Sequence, residues 1–261
     1  MVITVLEMII WILRFFFGAC IFSFLGLVVC RLPLGESLVT GRSHCTCCNH
    51  TLGALELIPG ISYIVLGGRC KVCKSKIPFR DFVCEVLGGL AFIFCGYRFG
   101  LGSWEIISLQ GLLVFIYLGI LLVVALIDWD TQMIYDRFHI LIFILAVGEY
   151  FLNTSHGIID RLIGAVIIAV PMLLLALVIP GAFGGGDIKL MFVSGLFLGT
   201  GPIVCAMFLG LLTGGAYGAW MLARKKLDRK DVFAFGPFLA FGLMISSLYG
   251  DALVQWYLQF L

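Results

Sequence analysis

The sequence predicts an all-α, polytopic membrane protein of about eight transmembrane helices with a small zinc-binding insert, and three observations carry that prediction. Hydrophobic residues make up 62% of the 261 and charged residues 12%, a balance that a soluble chain of this length could not cover with polar surface. The apolar residues fall into runs of membrane-spanning length, separated by short polar segments. The one extended polar segment, residues 31–81, holds Arg31, Arg42, Arg69, Lys71, Lys74, Lys76 and Arg80 together with a cluster of cysteines.

The first run covers residues 2–30. Glu7 and Arg14 interrupt it one heptad apart, roughly on one helix face, and read as the snorkelling groups of a tilted helix. No small-residue cleavage site follows Cys30, and Arg31-Leu32-Pro33 ends the run, so it is expected to be retained as a span rather than removed as a signal peptide. Further runs follow at about 82–97, 104–127, 138–152, 162–180, 188–199, 202–222 and 233–249. Between the sixth and seventh of these, Gly199-Thr200-Gly201-Pro202 reads as a turn or a kink.

A basic insert between spans belongs in the cytoplasm by the positive-inside rule. That placement puts 128–137, 181–189 and 223–232 on the same side and both termini outside. The last segment carries Arg224, Lys225, Lys226, Arg229 and Lys230, which supports the scheme independently. All Lys and Arg residues then fall inside except Arg14, Arg98 and Arg161. The expected setting is a membrane crossed many times, with the lipid bilayer as the first partner. The formal net charge of +2 gives no sign of a nucleic-acid partner.

Five cysteines (Cys20, Cys30, Cys84, Cys95 and Cys205) lie singly in apolar runs and read as small hydrophobes. The other five sit between residues 45 and 73. Cys45-Thr46-Cys47-Cys48 and Cys70-Lys71-Val72-Cys73 are two CxxC knuckles, a spacing that lets each supply two thiolates to a tetrahedral Zn²⁺. Disulfides are the competing reading, and a reducing cytoplasm disfavours them. Cys47, His44 and His50 lie close enough in sequence to compete as ligands, but the symmetric pairing favours Cys45, Cys48, Cys70 and Cys73. A closed four-thiolate site is structural, and here it would fold an insert with too few apolar residues to fold alone.

Two aspartates stand at the ends of apolar runs. Asp128-Trp129-Asp130-Thr131-Gln132-Met133-Ile134-Tyr135-Asp136 follows one long run, and Gly184-Gly185-Gly186-Asp187-Ile188-Lys189 opens another. Ionisable groups at membrane depth are costly and usually functional. Two carboxyls at one depth on separate helices suit an aspartyl protease, in which one takes a proton from water and the other donates to the scissile carbonyl. Asp130 and Asp136 read as ordinary interfacial acids. The glycine triplet leaves backbone able to take φ > 0 or to lie against another segment, which a mere helix cap does not need. Asp128 closes a helix and Asp187 opens one, so the helix-end fields place a shared proton on Asp128 and the charge on Asp187.

These residues fall in the order of a known family. Ser23-Phe24-Leu25, Arg31-Leu32-Pro33, the paired CxxC knuckles, Glu56-Leu57-Ile58-Pro59, Ser62-Tyr63, Glu85, Asp128 and Gly184-Gly185-Gly186-Asp187 with Lys189 resemble the type IV prepilin leader peptidases. These are bifunctional GxGD aspartyl proteases and N-methyltransferases of the type IV pilus, type II secretion and competence systems. The chain departs from the family pattern at Gly26, at Tyr135 and at Asp81-Phe82. The resemblance implies Asp128 and Asp187 as the catalytic pair, with Gly184, Gly186 and Lys189 supporting the second aspartate. It also implies two regions. Residues 1–97, with the first two helices and the insert, would serve methyl transfer, and residues 98–261 would form the protease domain. The implied substrates are prepilins or pseudopilins with a short basic leader, cut at the cytoplasmic membrane face just before a hydrophobic helix. The new N-terminal residue would be methylated from S-adenosylmethionine. The chain has no Rossmann-type glycine fingerprint; Glu56 and Glu85 are the candidates for the cofactor, and Glu56 and Asp81 for the basic leader. A proton-coupled transporter would account for buried acids but not for the knuckles, and a zinc-knuckle membrane adaptor would leave both aspartates without a role.

Overall fold

A computed structural model of the protein describes residues 2–99, 107–153, 155–179, 181–224 and 233–260. Lys225, Lys226, Arg229 and Lys230 of the basic segment lie outside these residues. The described residues are helical apart from loops and isolated bridges, and the chain divides into two compact units, Met1–Phe115 and Ile116–Leu261.

In the first unit α1 (Val2–Arg31) packs against α3 (Phe79–Arg98). The two backbones meet closely: a Cβ on Gly18 would lie 2.6 Å from the Phe92 Cβ. Small residues allow such an approach, which in lipid brings packing contacts that larger side chains would forbid. Phe115 enters this core from α4 (Leu109–Thr131), with its ring 5.4 Å from Phe22 and 4.9 Å from Phe92. The insert between α1 and α3 holds the two knuckles, a 3₁₀ turn (Ala54–Leu57) and the short α2 (Ile61–Val65). Arg14 does not snorkel as the sequence suggested. It is buried, with its guanidinium 4.5 Å from the Trp11 ring.

The second unit continues α4 and adds α5 (Asp136–Leu152), α6 (Ile158–Val178), α7 (Gly185–Leu198), α8 (Thr200–Ala223) and α9 (Gly236–Leu258). Each of the apolar runs thus forms a helix. Among the described residues, five of them (α1, α4, α6, α8 and α9) are long and apolar enough to cross a membrane, against the eight expected. Helix α3 carries Arg80, Asp81, Glu85 and Arg98, while α5 and α7 have 17 and 14 residues. The break between α7 and α8 is a turn at Gly199, whose φ of 85° is left-handed. A Cβ there would meet the Asp160 carboxylate at 2.5 Å, so glycine is required on both counts.

Helix α7 is the centre of this unit, packed against α5, α6, α8 and α9. Gly195 of α7 lies directly on the Gly164 carbonyl of α6, leaving no room for a side chain at either position. At the far end of α7 stands Arg161, 2% exposed. Its guanidinium donates to the carbonyls of Leu196 and Phe197 at 3.0 and 2.7 Å and to that of Asn153 at 3.2 Å. The last carbonyls of a helix have no partner within it, so one arginine satisfies the C-terminal ends of α5 and α7 together. Arg161, an exception to the charge bias of the sequence, is a buried structural group.

Candidate active site

The end of the second unit opposite Arg161 gathers the groups singled out in the sequence. Asp128 lies in the last turn of α4 and Asp187 in the first turn of α7, and they are 5% and 8% exposed. Each carboxyl accepts one backbone N–H. Gly236 donates to Asp128 Oδ2 at 3.0 Å, and Gly184 donates to Asp187 Oδ2 at 3.3 Å. The second of these is half of a capping box, the third helical residue reaching back to the N-cap amide.

Two contacts bring these segments together. The Phe183 and Phe235 rings, each one residue before its donor glycine, lie 5.8 Å apart. Ile134, from the connection after α4, touches both glycine positions: a Cβ on Gly186 would lie 2.9 Å from its Cβ, and one on Gly236 3.3 Å from its Cδ1. Trp129, Tyr217 and Phe238 pack together, with Tyr217 5.7 Å from Trp129 and 5.2 Å from Phe238, and so hold the end of α4 against α8 and α9.

Within the triplet, close approach is the property in use. None of Gly184, Gly185 and Gly186 has positive φ. A Cβ on Gly186 would press on Ile134, and one on Gly184 would sit 3.1 Å from the Asp187 Oδ2, whereas Gly185 faces open space. The opposed helix-end fields also change. Gly236 is the first residue of α9, so Asp128 meets a helix N-terminus just as Asp187 does. The contrast that placed the shared proton on Asp128 is therefore gone. Asp187 Oδ1 is buried and has no hydrogen-bond partner among the described residues.

Asp136 proves to be more than an interfacial acid. It accepts a hydrogen bond from Lys189 Nζ at 2.7 Å, and that ammonium holds its carboxyl below the ordinary carboxylate range. His139, one turn later on α5 and 6% exposed, has Nε2 3.1 Å from the Gly186 carbonyl and Nδ1 3.4 Å from Asp136. A carbonyl only accepts, so Nε2 carries the proton. The first turn of α5 thus grips the first turn of α7 on both sides of Asp187. Sequence reasoning missed His139 and Gly236. The Gly236-Pro237 pair at a helix start was the available signal for the second; for His139 no local motif exists.

The first unit holds a different centre. The Sγ atoms of Cys45, Cys48, Cys70 and Cys73 all lie within 4.8 Å of one another, with Cys45–Cys73 at 3.7 Å and Cys48–Cys70 at 4.0 Å. A disulfide needs about 2.05 Å, whereas a tetrahedral zinc site with bonds of about 2.3 Å needs sulfurs roughly 3.8 Å apart. The four thiols fit zinc. The knuckles are two copies of one structure. The bridge His44↔Thr51 brackets the first and Arg69↔Lys76 the second. Cys45 N–H donates to the His50 carbonyl as Cys70 N–H does to that of Ser75, and Asn49 and Lys74 take the same left-handed conformation, φ 56° and 59°. Cys47 corresponds to Val72 in the second copy, so its thiol is not part of the repeat. His50 is turned to Glu56 at 3.2 Å, and His44 Nδ1 to the Arg42 carbonyl at 3.2 Å.

The two candidate cofactor acids differ. Glu85 Oε1 accepts from the Ser23 hydroxyl and Oε2 from Gly60 N–H, both at 2.7 Å, so both oxygens fasten the insert to α1 and α3. Glu56 Oε2 accepts from Gly53 N–H at 2.8 Å, which with His50 holds the carboxyl below its usual range, while Oε1 is buried without a partner. Asp81 is half-buried in the first turn of α3.

The family comparisons agree with this division. The bacterial peptidase A24 N-terminal domain matches residues 16–99, and the type IV leader peptidase family matches residues 115–219. A prepilin leader peptidase/N-methyltransferase of Bacillus subtilis (strain 168) is 31% identical over 245 residues, covering 94% of this chain and 96% of the relative. Relatives of the same name from Pseudomonas aeruginosa and Stutzerimonas stutzeri are 29% and 28% identical over 271 residues, each covering 93% of this chain and 91% and 92% of their own. No solved structure matches the chain. With a relative 31% identical matched along nearly its whole length and two buried aspartates at the ends of α4 and α7, the chain belongs to the type IV leader peptidase family of multi-pass membrane enzymes.

Proposed function

We propose that the chain cuts the leader from prepilins or pseudopilins at the cytoplasmic face of the inner membrane and methylates the amine so released. The observation that carries the protease reading is the pair of buried carboxyls, each tethered by one backbone N–H and joined through Ile134 and the Phe183–Phe235 contact. In a site of low dielectric two such carboxyls share one proton. The ionised member takes a proton from water, the resulting hydroxide attacks the scissile carbonyl carbon, and the other member protonates the carbonyl oxygen. Collapse of the tetrahedral gem-diol breaks the C–N bond: the leaving amine takes up the proton held by the first aspartate, and one hydroxyl proton returns to the second, restoring the pair.

Cys45, Cys48, Cys70 and Cys73 would hold a zinc ion in a closed four-thiolate site, whose contribution would be to fold the insert. S-adenosylmethionine, when bound, supplies the methyl group to the new N-terminal amine. Glu56 is the acid to receive an N–H or O–H from cofactor or substrate amine, because its Oε1 is buried and unpartnered, whereas both oxygens of Glu85 are engaged. The role follows the family of pilus, secretion and competence enzymes. Purified enzyme and a prepilin in detergent, with product masses read by spectrometry, test both activities. Loss of the leader and one added methyl are expected, and an uncut substrate overturns the reading.

In this reading His139 is a positioning residue for Asp187. His139→Ala should lower kcat by roughly tenfold, the worth of about one buried hydrogen bond, and His139→Gln, which restores an N–H donor, should recover much of it. Lys189 and Asp136 are 58% and 70% exposed, so Lys189→Met should cost less than about fivefold, as exposed ion pairs contribute about 1 kcal/mol at most. Steady-state cleavage rates check the order of the three.

A further inference from the structure

The insert leaves apolar side chains uncovered beside a membrane span. In α2, Ile61, Ile64 and Val65 stand at i, i+3 and i+4 and so share one face. Ile64 and Val65 are 70% and 77% exposed, and Leu55 and Leu57 of the preceding 3₁₀ turn are exposed as well. The other face of α2 is held. Tyr63 stacks on Phe82 of α3 at 4.8 Å and lies against Gly68, whose φ of 66° turns the chain back after the helix. Beyond that turn come Arg69, Lys71, Lys74 and Lys76, all exposed.

The level of α2 is fixed by its N-cap, Gly60. The Gly60 N–H donates to Glu85 Oε2, and Oε1 of the same carboxyl accepts from the Ser23 hydroxyl of α1. Ser23 lies within the span, which ends at Arg31, and it precedes that end by roughly two turns, about 12 Å. Helix α2 therefore does not hang beyond the end of α1 but is folded back along it.

We infer that α2 lies in the boundary of the bilayer, with its Ile61, Ile64 and Val65 face among the acyl chains and the cations of the second knuckle among anionic lipid headgroups. At the level of Ser23 the surroundings of α1 are lipid, so an outward apolar face there meets acyl chains. Apolar side chains flanked by Lys and Arg are the pattern of segments that lie in a membrane interface, and basic groups at the surface gather anionic lipids. An exposed apolar face of this kind would be a liability in water. The inference rests on the membrane setting of α1 and on neither catalytic activity. Glu56 precedes Leu57 in the 3₁₀ turn, so the acid assigned above to methyl transfer is brought to the membrane surface, where the proposed cut releases its amine.

The test uses the full-length enzyme in nanodiscs of phosphatidylcholine and phosphatidylglycerol, with an environment-sensitive fluorescent amino acid at Ile64 or Val65. Lipids that carry a nitroxide high on the acyl chain should quench it, with at least roughly fivefold less quenching by acrylamide in the water, as expected of a side chain seated in the acyl boundary. Nitroxide on phosphatidylglycerol should quench about twofold more than on phosphatidylcholine at equal mole fraction, and Lys71→Gln with Lys76→Gln should remove that excess. Zinc content shows that the insert of each variant is folded. Quenching by acrylamide and not by nitroxide lipid overturns the inference. Shielding from both quenchers overturns it too, since that is the result of a protein partner on this face. Equal quenching by the two lipids overturns the assignment of the cations. Cleavage and methylation by the unsubstituted enzyme in the same discs test the proposed function separately.

Discussion

Leader cleavage is expected to fall to background in Asp128→Asn and in Asp187→Asn, a loss of about 10⁴-fold or more, as when one member of a coupled catalytic group is removed. The double variant should be no worse, because the two act as a unit. Asparagine keeps the shape of each side chain and an oxygen able to accept from Gly236 or Gly184, so the folded protein should survive. Size-exclusion profiles and thermal melts in detergent check that point. Asp130, exposed two residues after Asp128, supplies the control: Asp130→Asn should retain most of the activity. Appreciable cleavage by either of the first two variants would falsify the catalytic assignment.

The second large effect concerns the insert. About one Zn²⁺ per chain is expected from metal analysis, and Cys70→Ser with Cys73→Ser should abolish it, since a closed site needs all four thiolates. Metal binding and folding are one event in such sites. The insert should then become sensitive to proteolysis between the knuckles. Methylation should drop more than cleavage, because both aspartates lie in the second unit and Glu56 lies in the insert. Full methylation by metal-free protein overturns this assignment. Cys47→Ser should leave zinc content unchanged, since the repeat that relates the two knuckles places it opposite Val72, which is no ligand.

Much of this architecture was legible in the sequence, for physical reasons. An apolar run in lipid has no alternative to a helix, so α1, α4, α6, α8 and α9 could be read off directly. The knuckles were legible because thiolate spacing is a local geometric constraint, and the repeat of bridges and left-handed residues bears on the choice of Cys48 over Cys47. What stayed hidden was everything set by distant partners. The amide that binds Asp128 comes from Gly236, 108 residues away. The histidine that grips Gly186 is 47 residues from it. A histidine near a helix start carries no spacing signal, and the burial of Arg161 depends on where two other helices end. The field argument for the proton failed for the same reason, since it counted the helices that carry the aspartates and not the one that points at them.

Helix α7 is fastened to α5 at one end by His139, Asp136 and Lys189 and at the other by Arg161, and it is short. Fourteen residues rise only about 21 Å, against a hydrocarbon core of about 30 Å. A helix pinned at both ends cannot tilt or slide to hide that difference. The longer helices packed around it, α6, α8 and α9 with 21, 24 and 23 residues, span in its place, so the bilayer need not thin to meet it. A short helix walled by longer ones sets its Asp187 end back among them, and a recess of that kind admits water to the level of the carboxyl without any movement of the protein.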